Sequence, residues 1–236
     1  MDQPVRQSAA AVPAVGDIEV WIFDLDNTLY PAHCDLFSQV SRRMGEYIAD
    51  LLDIDLEGAR AVQKDYFRRH GTTLRGLMLE HGMDPLPFLD YVHDIDLSVL
   101  PANQPLDRAL ARLPGRKLIF TNGSARHAER VTRQLGIEHH FDAVFDIVAA
   151  DYVPKPEPAV YAALVAAHAV PVARTVMAED MPRNLEPAAA LGMTTLWVPG
   201  NREWSQDGHG AAHVHHVADD LADWLLALPE NRTADA

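Results

Sequence analysis

Ile18-Glu19-Val20-Trp21-Ile22-Phe23 runs straight into Asp24-Leu25-Asp26-Asn27-Thr28-Leu29-Tyr30, and the change of character at residue 24 decides how the chain is read. The first half is apolar and β-branched, as a strand covered on both faces should be, and the second opens with turn-forming acids and an amide. If the extended geometry persists past Phe23, Asp24 and Asp26 project to one side and Leu25 to the other. Two carboxylates crowded into one volume either share a cation or keep a proton. Taken alone, Asp24, Asp26 and Asn27 also fit the ordinary duties of turn and cap residues.

Working outward, the same signature of short, unbroken Val/Ile/Leu/Phe runs returns at Lys117 to Thr121, Ala143 to Ala149, Thr175 to Ala178 and Thr194 to Val198. Helical periodicity lies between and after them, at Ala125 to Leu135, Pro158 to His168, Leu185 to Leu191 and Asp220 to Leu228. Strand and helix in alternation imply an α/β fold, a Rossmann-like parallel sheet flanked by helices. Residues 32–100 break the alternation. Phe37, Val40, Met44, Tyr47, Ile48 and Leu51 make one apolar helix face, and further helices are expected from Leu56 to Arg69, Thr73 to Glu80 and Pro85 to His93, the first capped by Asp55. The expected organisation is a tail at 1–16, a core from 17–31 and 101–236, and an all-helical cap at 32–100, inserted where open α/β sheets bind ligands.

Composition narrows the function. Length (236 residues) and 48% hydrophobic content suffice for a real core, and 20 basic against 34 acidic residues give a net charge of −14, which repels a nucleic-acid backbone. Cys34, the single cysteine, cannot form an internal disulfide and suits a reducing compartment. The Ala9 to Val15 stretch is too short and too poor in basic residues for a signal peptide, and no run is long enough to span a membrane. Cytoplasmic residence is the expectation, and the oligomeric state is left open.

Other strand ends carry chemistry too. Thr121-Asn122-Gly123 and Glu179-Asp180 each close a buried strand, and Lys155 follows a third in Val153-Pro154-Lys155-Pro156-Glu157-Pro158, where prolines stiffen the backbone around one cation. Singly, Lys155 also reads as a solvated loop lysine and Thr121 as a helix-entry residue. Together they converge on one sheet edge.

These four segments, in order and with fitting spacing, resemble the motifs of the haloacid dehalogenase superfamily of aspartate-nucleophile phosphatases. The helical insert is similar to the small helical cap that follows the first strand in one subclass. Asp26 to Pro31, Gly71 to Leu77, Pro182 to Leu185 and Leu191 to Met193 look like the pyrimidine 5′-nucleotidase branch. The resemblance implies Asp24 as nucleophile, Asp26 as general acid and base, and Thr121 and Lys155 as phosphoryl-binding groups. It also implies Mg²⁺ held by Asp24, the backbone carbonyl of Asp26 and Asp180, with Glu179 ligating directly or through water and Asn184 supporting from behind. Asn122 and Gly123, with Thr72, Thr73 and Arg75 of the cap, are expected at the substrate, a pyrimidine nucleoside monophosphate. Acid work near neutrality needs an Asp26 pKa above the ordinary ~3.9, and crowded negative charge is expected to raise it. Alternatives are the same chemistry on a sugar phosphate or phosphoglycolate, a sensor of phosphorylated ligands, and a dehalogenase, against which Asp26 argues because halide departs without an acid. His209, His213, His215 and His216 read as an edge strand entering the last helix, not as a zinc site, and His139-His140 as loop surface.

Overall fold

The computed structural model describes residues 15–200 and 210–229. Its centre is strand β1 (Val20–Phe23), four buried residues whose side chains divide by parity. Trp21 and Phe23 enter one apolar cluster, and Val20 and Ile22 enter a second on the opposite face. The sheet is parallel throughout, in the order β3-β2-β1-β4-β5-β6, with β2 at Arg116–Phe120, β3 at Ala143–Phe145, β4 at Thr175–Glu179, β5 at Thr194–Trp197 and β6 at His216–Val217. Phe23 is in register with Ile119 on one side and Ala178 on the other, so Asp24, Phe120 to Thr121 and Glu179 to Asp180 leave the sheet at one edge.

Helices α1 (Leu36–Leu52), α2 (Leu56–His70), α3 (Thr73–His81) and α4 (Pro85–Val92) follow β1 and pack on one another. Their starts are set by capping side chains: Asp55 accepts from the Gly58 N–H, Thr72 from Arg75 and Asp84 from Leu86. Gly76 lets α3 lie directly on α2, since a Cβ there would run into the Cβ and ring of Tyr66. Gly76→Ala is therefore expected to cost ~1–3 kcal/mol through overpacking. Urea denaturation checks this, and an unchanged midpoint would mean that the two helices part without penalty.

The remaining helices are α5 (Gln104–Arg112), α6 (Ala125–Leu135), α7 (Pro158–His168), α8 (Pro182–Ala190) and α9 (Leu221–Ala227). Several sequence expectations change. The strand expected over Ala143 to Ala149 stops at Phe145, because Asp146 turns the chain by accepting from the Ala149 and Ala125 N–H groups. Helix α8 opens at Pro182 and stops at Ala190, one residue short of the expected Leu191. Helix α5, capped by Asn103 and carrying Pro105, was not anticipated. The expected tail at 1–16 ends sooner, since Val15 is buried in the core; residues 1–14 lie outside the described set. Among the described residues, no helix is long and apolar enough to cross a membrane.

Candidate active site

The chain turns sharply after β1. Asn27 takes φ 66°, a left-handed conformation that Asn tolerates, while the Thr28 and Leu29 N–H groups both return to the Leu25 carbonyl. This turn brings the Thr28 hydroxyl to Asp24 Oδ2 at 2.9 Å. The other carboxylate oxygen meets Lys155 Nζ at 2.8 Å.

Lys155 is 1% exposed and threefold bonded, its ammonium also reaching Glu179 Oε2 at 2.6 Å and the Phe120 carbonyl at 2.8 Å. Burial alone would lower its pKa, but Asp24 and Glu179 more than reverse that and hold it above the ordinary lysine range. Asn122 fixes the backbone here. Its Oδ1 accepts from the Lys155 N–H at 2.9 Å and its Nδ2 donates to the Lys155 carbonyl at 3.4 Å. The solvated-loop reading of Lys155 thus fails, and the Asn122 amide serves Lys155 in this structure.

Asp24, Glu179 and Asp180 bring carboxylate oxygens within 4.8 Å of one another, all buried. Three carboxylates against one ammonium leave two negative charges uncompensated when all are ionised. Burial, then the Glu179 charge, pushes Asp24 up to about 7 against the pull of Lys155. Asp180 rises as well, from burial and the same neighbours. A buried, oxygen-lined site short of two positive charges fits a hard divalent cation. Glu179 is the most engaged of the three. Its Oε2 takes Lys155, and its Oε1 takes the Asn184 amide at 3.1 Å and the Met181 N–H at 3.4 Å. Asn184 thus lies against Glu179, and Asn27 Nδ2 donates to Asp180 at 3.5 Å.

Thr121 is buried at the end of β2, where its hydroxyl accepts from the Gly123 N–H at 2.9 Å, leaving its own proton to be donated. An added Cβ at Gly123 would lie 3.3 Å from Thr121 Oγ1 and 3.5 Å from both His93 and His127, so a side chain there would fill the space beside the hydroxyl. The cap residues are otherwise engaged. Thr72 caps α3, Thr73 is buried and donates to the Gln63 carbonyl, and Arg75 Nη1 donates to the Tyr152 carbonyl at 3.2 Å, tying α3 to the loop that leads to Lys155.

Asp26 departs from expectation. His127 Nε2 lies 2.9 Å and the Tyr30 hydroxyl 2.6 Å from its Oδ1. Burial would raise the carboxyl, but the charge and hydrogen bond of His127, the Tyr30 bond and His93 outweigh it and bring Asp26 down to about 2. The expectation of a raised pKa is therefore corrected: the charge crowding falls on Asp24 and Asp180, while Asp26 is turned toward donors. Sequence reading missed His127. The signal was there in Ser124, which caps α6 and puts His127 in its first turn, immediately past the β2 end.

His139 and His140, read as loop surface, both approach Asp107 Oδ1, at 3.3 and 2.7 Å, and His140 is largely covered. These contacts tie α5 to the turn before β3. His213 and His215 bind Thr195 and secure the edge strand β6, as anticipated; His209 lies outside the described residues.

The model of the haloacid dehalogenase-like hydrolases matches residues 18–192. The chain belongs to this hydrolase family. A curated relative, phosphate metabolism protein 8 of Saccharomyces cerevisiae, is 25% identical over 193 residues, 74% of this chain. The match spans only 60% of that relative's length. Among solved structures, a haloacid dehalogenase-type phosphatase from Thermococcus onnurineus superposes with a TM-score of 0.61 at 17% identity, covering 91% of this chain and 100% of the other. The L-2-haloacid dehalogenase PA0810 gives 0.54 at 17% identity, over 90% and 100%. These likenesses establish the shared fold. Since both a phosphatase and a dehalogenase carry it, the choice of chemistry rests on this chain's own residues.

Proposed function

We propose that this family member is a Mg²⁺-dependent phosphomonoesterase that prefers pyrimidine nucleoside 5′-monophosphates. The observation that carries the phosphatase reading is the second carboxylate, Asp26, held apart from the Asp24, Glu179 and Asp180 cluster. A halide leaves without a proton, whereas an alkoxide needs one. A sensor of phosphorylated ligands would have no use for it either.

Asp24 attacks phosphorus and the leaving alcohol departs with a proton from Asp26, giving an aspartyl phosphate. Asp26 then takes a proton from the water that hydrolyses it, and a hard displacement becomes two easier ones. Asp26 as it stands, charged, is in the form the second step uses; the substrate's own negative charge favours the protonated form in the first. Lys155 offsets the repulsion between Asp24 and the phosphoryl group, and Thr121 donates to a phosphoryl oxygen. The Asp24 and Asp180 carboxylates and the Asp26 carbonyl would hold Mg²⁺, with Glu179 at its edge. When bound, the ion supplies charge neutralisation and polarises the phosphoryl oxygens.

The pyrimidine preference rests on the likeness of the 26–31, 71–77, 182–185 and 191–193 segments to that branch. Phosphate release from UMP, CMP, dUMP, AMP, phosphoglycolate and glucose 6-phosphate tests it. The pyrimidine esters should exceed the others by roughly 10-fold or more, and EDTA should reduce release to background. Equal release from all six would keep the mechanism and remove the nucleotidase assignment; release unaffected by EDTA would remove the metal.

A further inference from the structure

Both donors to Asp26 land on one oxygen. His127 Nε2 and the Tyr30 hydroxyl reach Oδ1, at 2.9 and 2.6 Å, while Oδ2 has no hydrogen-bond partner among the described residues. A carboxylate so gripped cannot rotate about its last bond without losing two charge-assisted hydrogen bonds. The His127 side chain is wholly buried, whereas that of Asp26 keeps 17% of its surface open. The wholly buried His127 thus grips Oδ1, and Oδ2 stays unengaged on a side chain that is partly open.

The imidazole is itself pinned. A charged carboxylate only accepts, so Nε2 of His127 carries a proton, and its buried Nδ1 has no hydrogen-bond partner among the described residues. Among the described residues, nothing polar therefore holds the ring from its other edge. What holds it is a stack on His93, with ring centroids 4.3 Å apart and 10° between planes. His93 closes helix α4 of the helical insert, and its Nδ1 lies 3.0 Å from the hydroxyl of Ser124, the residue that caps α6. Arg130 of α6 donates to the His93 and Ile95 carbonyls at 2.7 and 3.2 Å, fixing the same junction.

We infer that His127 is a positioning residue which, with Tyr30, reserves Oδ2 of Asp26 as the oxygen that gives and takes the proton, and that His93 makes this geometry depend on the seating of the helical insert. In the first step the Oδ2–H bond breaks as the proton passes to the leaving oxygen, whose bond to phosphorus breaks with its electron pair. In the second, Oδ2 recovers a proton from water. Oδ1 keeps both of its hydrogen bonds in either step. The inference rests on the acid–base reading of Asp26 and deepens it.

The test compares kcat/KM for alkyl esters, UMP and phosphoglycolate, with that for p-nitrophenyl phosphate in the full-length enzyme with Mg²⁺. The aryl leaving group departs with little help from an acid. His127→Leu should lower the alkyl values at least ~10-fold more than the aryl value, in the direction set by Asp26→Asn, and His127→Gln, which keeps a donor, should recover part of the loss. His93→Ala should shift the same ratio and His93→Phe, which keeps the stack, should not. Should His127→Leu not fold, Tyr30→Phe reads the same ratio from the other donor. An equal fall on alkyl and aryl esters in folded variants overturns the inference. If Asp26→Asn itself leaves the ratio unchanged, the acid role of Asp26 fails instead, which separates the two failures.

Discussion

Asp24→Asn is expected to lower turnover by on the order of 10⁴-fold or more, because the amide cannot form the aspartyl phosphate on which the two-step reaction depends. The fold should survive. Thr28 can still donate to the side chain, and Lys155 keeps Glu179 at 2.6 Å and the Phe120 carbonyl at 2.8 Å. In metal-free buffer the variant should even melt at or above the wild-type temperature, since the substitution removes one member of a crowded group whose carboxyl is pushed up to about 7. Phosphate release and a thermal scan on the same sample decide the matter. Retention of more than about 1% of the turnover would require another nucleophile, and a large fall in melting temperature would mean that Asp24 is structural first.

Lys155→Met should be costly in both respects. Methionine matches the stem in length but leaves Asp24 and Glu179 facing one another, buried, without the cation that both now touch. Removing one partner of a buried ion pair typically costs ~3–5 kcal/mol, and losing a preorganised charge at a transferring phosphoryl group ~10²–10³-fold in rate. Urea denaturation without metal reads the first and kcat the second. A divalent cation should restore part of the stability and little of the rate, because it relieves the carboxylates without replacing the ammonium. Wild-type stability in the absence of metal would show that the cluster keeps its protons and does not need Lys155 to fold.

How much could be read from the sequence follows from what kind of signal each residue leaves. Asp24, Thr121 and the Glu179-Asp180 pair announced themselves because each ends a continuous apolar run, and a parallel sheet gathers strand ends at one edge. Lys155 was legible through its prolines. The helices of the insert were legible through periodicity, and the cap expected at Asp55 forms as a side-chain hydrogen bond from the Gly58 N–H. The reach of Glu179 was not, since its pairing with Lys155 and Asn184 depends on tertiary distance alone. His127 and Tyr30 were missed for a related reason: a histidine in a first helical turn and a tyrosine after a turn look like surface and core until the fold sets them on one carboxylate oxygen. The lowered Asp26 follows from that omission. Charge counting along the chain saw the acids around it and could not see the two donors.

One apolar cluster runs without a break from Trp21 and Phe23 of the sheet and Leu25 of the turn after β1, through Leu36, Val40, Ile48, Leu74, Leu77 and Phe88 of the inserted helices, to Leu106 and Leu110 of α5. The insert is thus not an accessory that could be trimmed away or exchanged for another at will. Cutting it out would remove Leu36, Val40, Ile48, Leu74, Leu77 and Phe88 from the cluster and bare the apolar side chains they pack against, so a truncated core should aggregate where a grafted, matching set of apolar side chains would not. The same continuity implies that insert and sheet denature together in a single cooperative transition. Sequence drift in the insert is then filtered by the demand that whatever replaces a helix must also complete the core beside it.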